Sequence, residues 1–177
     1  MRGAVLYPLN RLEGIYPDLY EEWKQNYVTR PDIAALRIPP LDNCLWNDVL
    51  HMSPVHPARL KAALAKAGHE LHPEWRAFFQ IDASLLDPVS AVLYHMKEIF
   101  WSGRFDIDEA SLKLGSECEA FRPELLESLS EIPELTRNHY ASVQQSEGHP
   151  LYFLGIPHIL YKGEIDTAQE GISIVEV

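Results

Sequence analysis

The chain is poor in cysteine, and its two cysteines, Cys44 and Cys118, lie far apart without a second pair. That excludes a disulfide framework and the paired spacing of a zinc finger, and it fits a reducing compartment, so the cytoplasm is the expected location. Long apolar runs are missing too. Ahead of Pro8 the N-terminal segment offers only Ala4-Val5-Leu6-Tyr7, too short for a signal-peptide core or a membrane span, and neither export nor membrane insertion is expected. Glycine is sparse, and none of it forms G-x-G-x-x-G, a Walker loop or G-x-S-x-G. The fingerprints of dinucleotide and triphosphate binding and of a nucleophile elbow are therefore absent, and the sequence names no cofactor. Basic charge is scarce: 15 Lys and Arg face 26 Asp and Glu, a net charge of -11. Nucleic acid and anionic membrane need clustered cations that release counterions, so neither is expected as a partner.

What is present is enough apolar material, 46% of 177 residues, to bury a single core, and the expectation is one compact domain over 1–177. Val5, Leu6 and Tyr7 predict a first strand within Gly3 to Leu9, ended by a turn at Pro8 and Asn10. Prolines at first helical positions predict helices from Pro17, from Pro31 as far as the Pro39-Pro40 joint, from Pro57 to Ala67 with Gly68 as its cap, from Pro123 to Ser130 and from Pro133 to Glu147. The segments 77–82 and 89–96 read as strands. The tail reads as short β-rich runs at 151–154, 159–161 and 172–175. The class that follows is α+β, with a mainly antiparallel sheet, strands at both ends and helices between. The stretch 97–119 is the least regular. Nine acidic residues against two basic ones fall between Asp106 and Glu134, which reads first as a solvated face.

Usable chemistry is densest in Cys44-Leu45-Trp46-Asn47-Asp48-Val49-Leu50-His51-Met52-Ser53-Pro54-Val55-His56-Pro57. Segment 44–51 fits neither a strand nor a helix cleanly, but Asn47 and His51 share a side in both readings. His51 is the candidate general acid or base, with Asp48 or Asn47 orienting its ring and Trp46 offering a stacking face and a donor. Against this stands a histidine simply bonded to backbone. His56 precedes Pro57 and is as well explained as a helix cap as by a ligand role. A second candidate stretch, Gly155 to Asp166, opens a strand with His158 and turns at Lys162-Gly163-Glu164, which reads as a hairpin tip. Tyr94, at a strand end, is a further ligand-binding candidate. His51 and His56 lack metal-ligand spacing, and a metal would need distant ligands such as His158 and Asp166, so no metal site is assigned.

The succession Leu6-Tyr7-Pro8-Leu9-Asn10, the run from Leu45 to His51 with Ser53-Pro54 and His56-Pro57, and Pro157-His158-Ile159-Leu160-Tyr161-Lys162-Gly163 with Ile165-Asp166 resembles a family of small bacterial proteins known only as uncharacterised or group-specific. The resemblance spans nearly the whole chain and implies a bacterial cytoplasmic single domain without naming an activity. The early strand, the His51 to Ser53 strand end and the β-rich tail are also faintly similar to the ADP-ribosyltransferase fold, although the glutamate context of that fold is not identifiable. The leading expectation is a small-molecule-binding enzyme using histidine acid/base chemistry in a pocket of Trp46, Asn47, Asp48, His51, His56, Tyr94 and His158. The rival is a non-catalytic module that uses its acidic stretch to bind a protein partner or a second copy of itself.

Overall fold

The computed structural model describes residues 4–28, 31–95, 117–143 and 150–177. Its centre is a four-stranded sheet in the order β4-β8-β6-β7, formed by β4 (Leu50–Met52), β8 (His158–Tyr161), β6 (Ala91–Tyr94) and β7 (Cys118–Ala120), every pair antiparallel. Alternation along each strand gives the sheet two faces. One presents Val92, Tyr94 and Leu160 and packs on Ile38, Leu41 and Val49, with Trp46, Cys44 and Cys118 at the margin. The other presents Ala91, Leu93 and Ile159 and packs on Leu86, Phe121 and Ile165. Being covered on both faces, β6 is buried at all four positions.

Three smaller ladders brace this sheet: β1 (Val5–Leu6) with β9 (Ile165–Asp166), β2 (Arg37–Ile38) with β3 (Cys44–Leu45), and β5 (Ala77–Ile81) with β10 (Ile172–Glu176). The helices are α1 (Leu9–Ile15), α2 (Pro17–Lys24), α3 (Pro31–Ala35), α4 (Pro57–Lys66) and α5 (Glu134–Ser142). A third apolar cluster, built on Leu60, Leu64, Tyr140 and Ile156, joins α4 and α5 to the segment that leads into β8. The fold is the α+β arrangement with antiparallel sheets that the sequence predicts. Among the described residues no helix is long and apolar enough to cross a membrane.

Several elements differ from expectation for local reasons. The first strand is only Val5–Leu6, because α1 begins at Leu9 and takes Asn10 into the helix. The tail run 151–154 is a turn, since α5 claims its carbonyls: the Tyr140 hydroxyl donates to Tyr152 O, and Thr136 Oγ1 donates to Leu154 O at 2.6 Å. A strand would have given those oxygens to a neighbour. The helix expected from Pro123 stops as a short 3-10 turn at Leu125. There the Ser128 and Ser130 hydroxyls bond carbonyls of their own turn and so compete with helical pairing. The final helix runs Glu134–Ser142, and 144–147 fall outside the described residues. Lys162-Gly163-Glu164 is not a hairpin tip, because β9 pairs with β1 rather than with β8. Instead Lys162 meets Asp42 and Glu164 meets Arg11.

Candidate functional site

Segment 44–51 resolves into strand, turn and strand. Cys44–Leu45 is β3, residues 46–48 form a 3-10 turn, and β4 begins at Leu50. The turn is closed by the Asp48 carboxylate, whose Oδ2 accepts the Leu45 N–H at 2.8 Å while its Oδ1 accepts Asn10 Nδ2 at 2.7 Å. Both oxygens are thus engaged away from His51, which corrects the expectation that Asp48 orients the imidazole. Asn47 is carried into the turn and buried, with its Oδ1 unpartnered; it does not share the register with His51 that either regular reading implied.

His51 is oriented by backbone. Its Nε2 lies 2.9 Å from Trp46 O. A carbonyl only accepts, so Nε2 carries the proton and, in the neutral ring, Nδ1 holds a lone pair. His158 is tied in the same manner from its other nitrogen, with Nδ1 2.8 Å from Ile156 O, which leaves Nε2 bare. Neither bare nitrogen has a hydrogen-bond partner among the described residues.

The sheet brings these rings together. His51 pairs with Leu160 and Tyr94 pairs with His158, so His51, Leu160, His158 and Tyr94 share one face. Rings fill the spaces between them. Trp46 lies 4.3 Å from His51, centroid to centroid, and meets Tyr94 edge-on at 5.7 Å; His158 lies 6.1 Å from Tyr94 and 6.2 Å from Phe153. His51 is open to water on one side and surrounded by protein on the others. Desolvation pushes it down from 6.5 to about 4, the proximity of His158 adds to the fall, and the Trp46 carbonyl opposes it. His158 is likewise pushed down to about 4 by burial, against its bond to Ile156 O. Burial also raises the Tyr94 phenol and the Cys44 and Cys118 thiols, so none of these is poised to ionise near neutrality.

His51 and His158 are both among the residues that border one cavity of about 490 Å³, at the end of the sheet where residues of both its faces meet, a size that suits a small-molecule ligand. Its walls come from Met52 at the end of β4 and the residues on to Val55, the start of α4, Phe78 to Ile81 of β5, Phe153 and Val175, among others. His56 lines it as well and caps α4, its Nδ1 accepting the Ala58 N–H at 3.2 Å. Trp46, Asn47, Asp48 and Tyr94 are not in the lining; Trp46 and Tyr94 stand behind the histidines. The aromatic wall of Phe78, Phe79 and Phe153 was not apparent from sequence. Phe78 and Phe79 read there as ordinary strand residues, and nothing local announces that a distant ladder faces β4.

Among the described residues no group of three or more His, Cys, Asp or Glu side chains comes together as metal ligands would. Asp166 is occupied in β9, its Oδ1 accepting the Ala168 N–H. Of the acidic stretch, 106–116 lie outside the described residues; farther on, Glu119 bonds His95 and Glu131 bonds Arg59. No family model, curated protein or solved structure matches the chain.

Proposed function

We infer that this protein is a small-molecule-binding enzyme whose His51 and His158 do acid/base chemistry on a ligand held in the cavity. The observation that carries the reading is that two histidines border one cavity, each with one ring nitrogen tied to a backbone carbonyl and the other bare. A histidine that served only to satisfy the core would spend its nitrogens inward. These spend one each, and the bound carbonyl fixes the tautomer as an acid/base catalyst requires. When a bare nitrogen takes a proton from the ligand, the ring becomes an imidazolium whose opposite N–H already faces a carbonyl oxygen. That contact favours the charged form, as the upward pull of both carbonyls on the ring pKa indicates. Burial keeps both rings neutral near pH 7, so each offers a lone pair to the ligand, as a weak base.

The test is a thermal-shift screen of a fragment library against the wild type, His51→Ala and His158→Ala. A ligand of this site raises the wild-type midpoint by mass action and leaves both variants unmoved while their circular dichroism stays native. If both variants instead lose the fold, or if stabilising fragments act on them as on the wild type, the histidines are structural and the reading fails.

A further inference from the structure

We propose that the cavity takes an uncharged molecule with a flat apolar body and one hydroxyl or N–H donor, the donor being received by the bare nitrogen of His51 or His158. This rests on the reading of the cavity as a ligand site and adds the chemical class of the ligand.

Three observations support it. The first is the sense of the hydrogen bonds. Because Trp46 O and Ile156 O hold the two ring N–H groups, each neutral imidazole has only an acceptor left. A ligand carbonyl, carboxylate or phosphate oxygen set against these nitrogens meets lone pair with lone pair, whereas a hydroxyl or N–H completes the bond.

The second observation is the charge of the lining. Among the described residues no Lys, Arg, Asp or Glu lines the wall, so neither an anion nor a cation finds a counter-charge from them to offset its lost hydration. Among the described residues two features could favour an anion: His56, whose Nδ1 accepts the Ala58 N–H and so leaves Nε2–H as a donor, and the N-terminus of α4, whose Pro57 borders the cavity. That terminus is already spent: Pro57 has no N–H, Ala58 N–H bonds His56 Nδ1, and the Arg59 and Leu60 N–H groups bond His56 O. Protonating His51 or His158 to receive an anion is also unfavourable, since a ring titrating near 4 is charged in about one molecule in a thousand at pH 7.

The third observation is the composition of the apolar wall. Phe78, Phe79 and Phe153 are among the lining residues together with Met52, Leu60 and Ile159, an aromatic and aliphatic composition that suits a planar apolar body.

Three naphthalenes of the same body separate the alternatives: 2-naphthol, 2-methoxynaphthalene and 2-naphthoate, titrated into the wild-type protein at pH 7.5. Affinity is read by calorimetry, and the His51 and His158 ring nitrogens by 15N spectra assigned with His51→Gln and His158→Gln. The expected result is that 2-naphthol binds at least tenfold more tightly than either of the others and moves the bare-nitrogen signal of one or both histidines. If 2-naphthoate binds as well or better and moves those signals, the cavity is a ligand site but the uncharged class is wrong. If 2-methoxynaphthalene equals 2-naphthol, the donor has no role and the proposal falls. If no member of the series moves either histidine, the class and the ligand-site reading fail together.

Discussion

His51 and His158 are diagonal neighbours across β4 and β8, with Leu160 as the residue directly opposite His51 and two places beyond His158. Diagonal positions in an antiparallel pair lie roughly 7–8 Å apart, close enough for one charge to oppose another. The first consequence concerns protons. Both rings sit at about 4 rather than 6.5, so 15N titration should find them neutral at pH 7, His51 as the Nε2–H tautomer and His158 as the Nδ1–H tautomer. Protonation midpoints below 5 are expected, and midpoints near 6.5 for both would remove the electrostatic basis of the site.

The same shifts make stability depend on pH. A histidine whose folded pKa lies below its unfolded value is protonated first in the unfolded chain, so acid favours unfolding. Stability should be complete above about pH 6.5 and decline as pH falls toward 4. His158, moved from 6.5 to about 4, accounts for a loss on the order of 3 kcal/mol, and His51, open to water, adds less. His139, also lowered by burial and by His69, acts in the same direction. The informative quantity is therefore the difference in urea midpoint against pH between the wild type and a His51→Gln/His158→Gln double variant. Parallel curves would contradict the assignment.

Asp48 offers a sharp contrast between a structural and a catalytic carboxylate. Its two oxygens close the 46–48 turn and anchor Asn10 of α1. Asp48→Ala should therefore cost about 1–2 kcal/mol in chemical denaturation. The titration of His51, held by Trp46 O, should stay where it was. A displaced His51 midpoint with unchanged stability would restore Asp48 as the orienting group.

Those two residues also mark the limit of what the sequence makes legible. The class, the helices opened by Pro17, Pro31 and Pro57, and the strands 77–81, 91–94, 158–161 and 172–176 follow from periodicity and from proline and glycine punctuation, which are local signals. His51 and His158 could be named as candidates because imidazoles at strand ends are chemically conspicuous. Their partners could not. Trp46 O and Ile156 O are main-chain atoms that any residue type supplies, so no side-chain pattern points to them. Segment 44–51 was ambiguous because a carboxylate three residues on closes a turn inside it. The run 151–154 looked extended because its β-prone composition says nothing of Thr136 and Tyr140 waiting on a distant helix.

That helix contact leads to a fourth prediction. Thr136 is fully buried, and its hydroxyl holds Leu154 O at 2.6 Å, fixing the turn that carries Phe153 to the cavity and leads into His158. Thr136→Val leaves that carbonyl without its partner and should cost about 1–3 kcal/mol. Gly155→Ala acts on the same turn by another route: at φ +75° a Cβ is strained, and it would stand 3.0 Å from a Leu135 methyl and 3.2 Å from Thr136 Oγ1. Both variants should lower the thermal midpoint and shift the His158 ring signals while leaving those of Trp46 in place. A His158 signal unmoved in either would mean that the turn does not position it.

Trp46 allows the final prediction, because it separates the backbone role of a residue from the role of its side chain. The carbonyl of Trp46 holds the His51 Nε2–H, and its indole lies 4.3 Å from the same imidazole, edge-on to Tyr94. Replacing the indole with a smaller group keeps the hydrogen bond and removes part of the protein that excludes water from the ring. Desolvation is the largest cause of the depressed His51 basicity, so Trp46→Ala should raise the His51 midpoint from about 4 toward 6.5 while the Nε2–H tautomer persists. His158 should respond less, since Tyr94 and Phe153 rather than Trp46 stand nearest to it. The truncation of a half-buried aromatic should also cost about 2–4 kcal/mol, so the milder Trp46→Phe, expected to move the midpoint less in the same direction, guards against a variant that does not fold. A His51 midpoint that stays near 4 in both variants would assign the shift to His158 and the cavity walls instead of the indole.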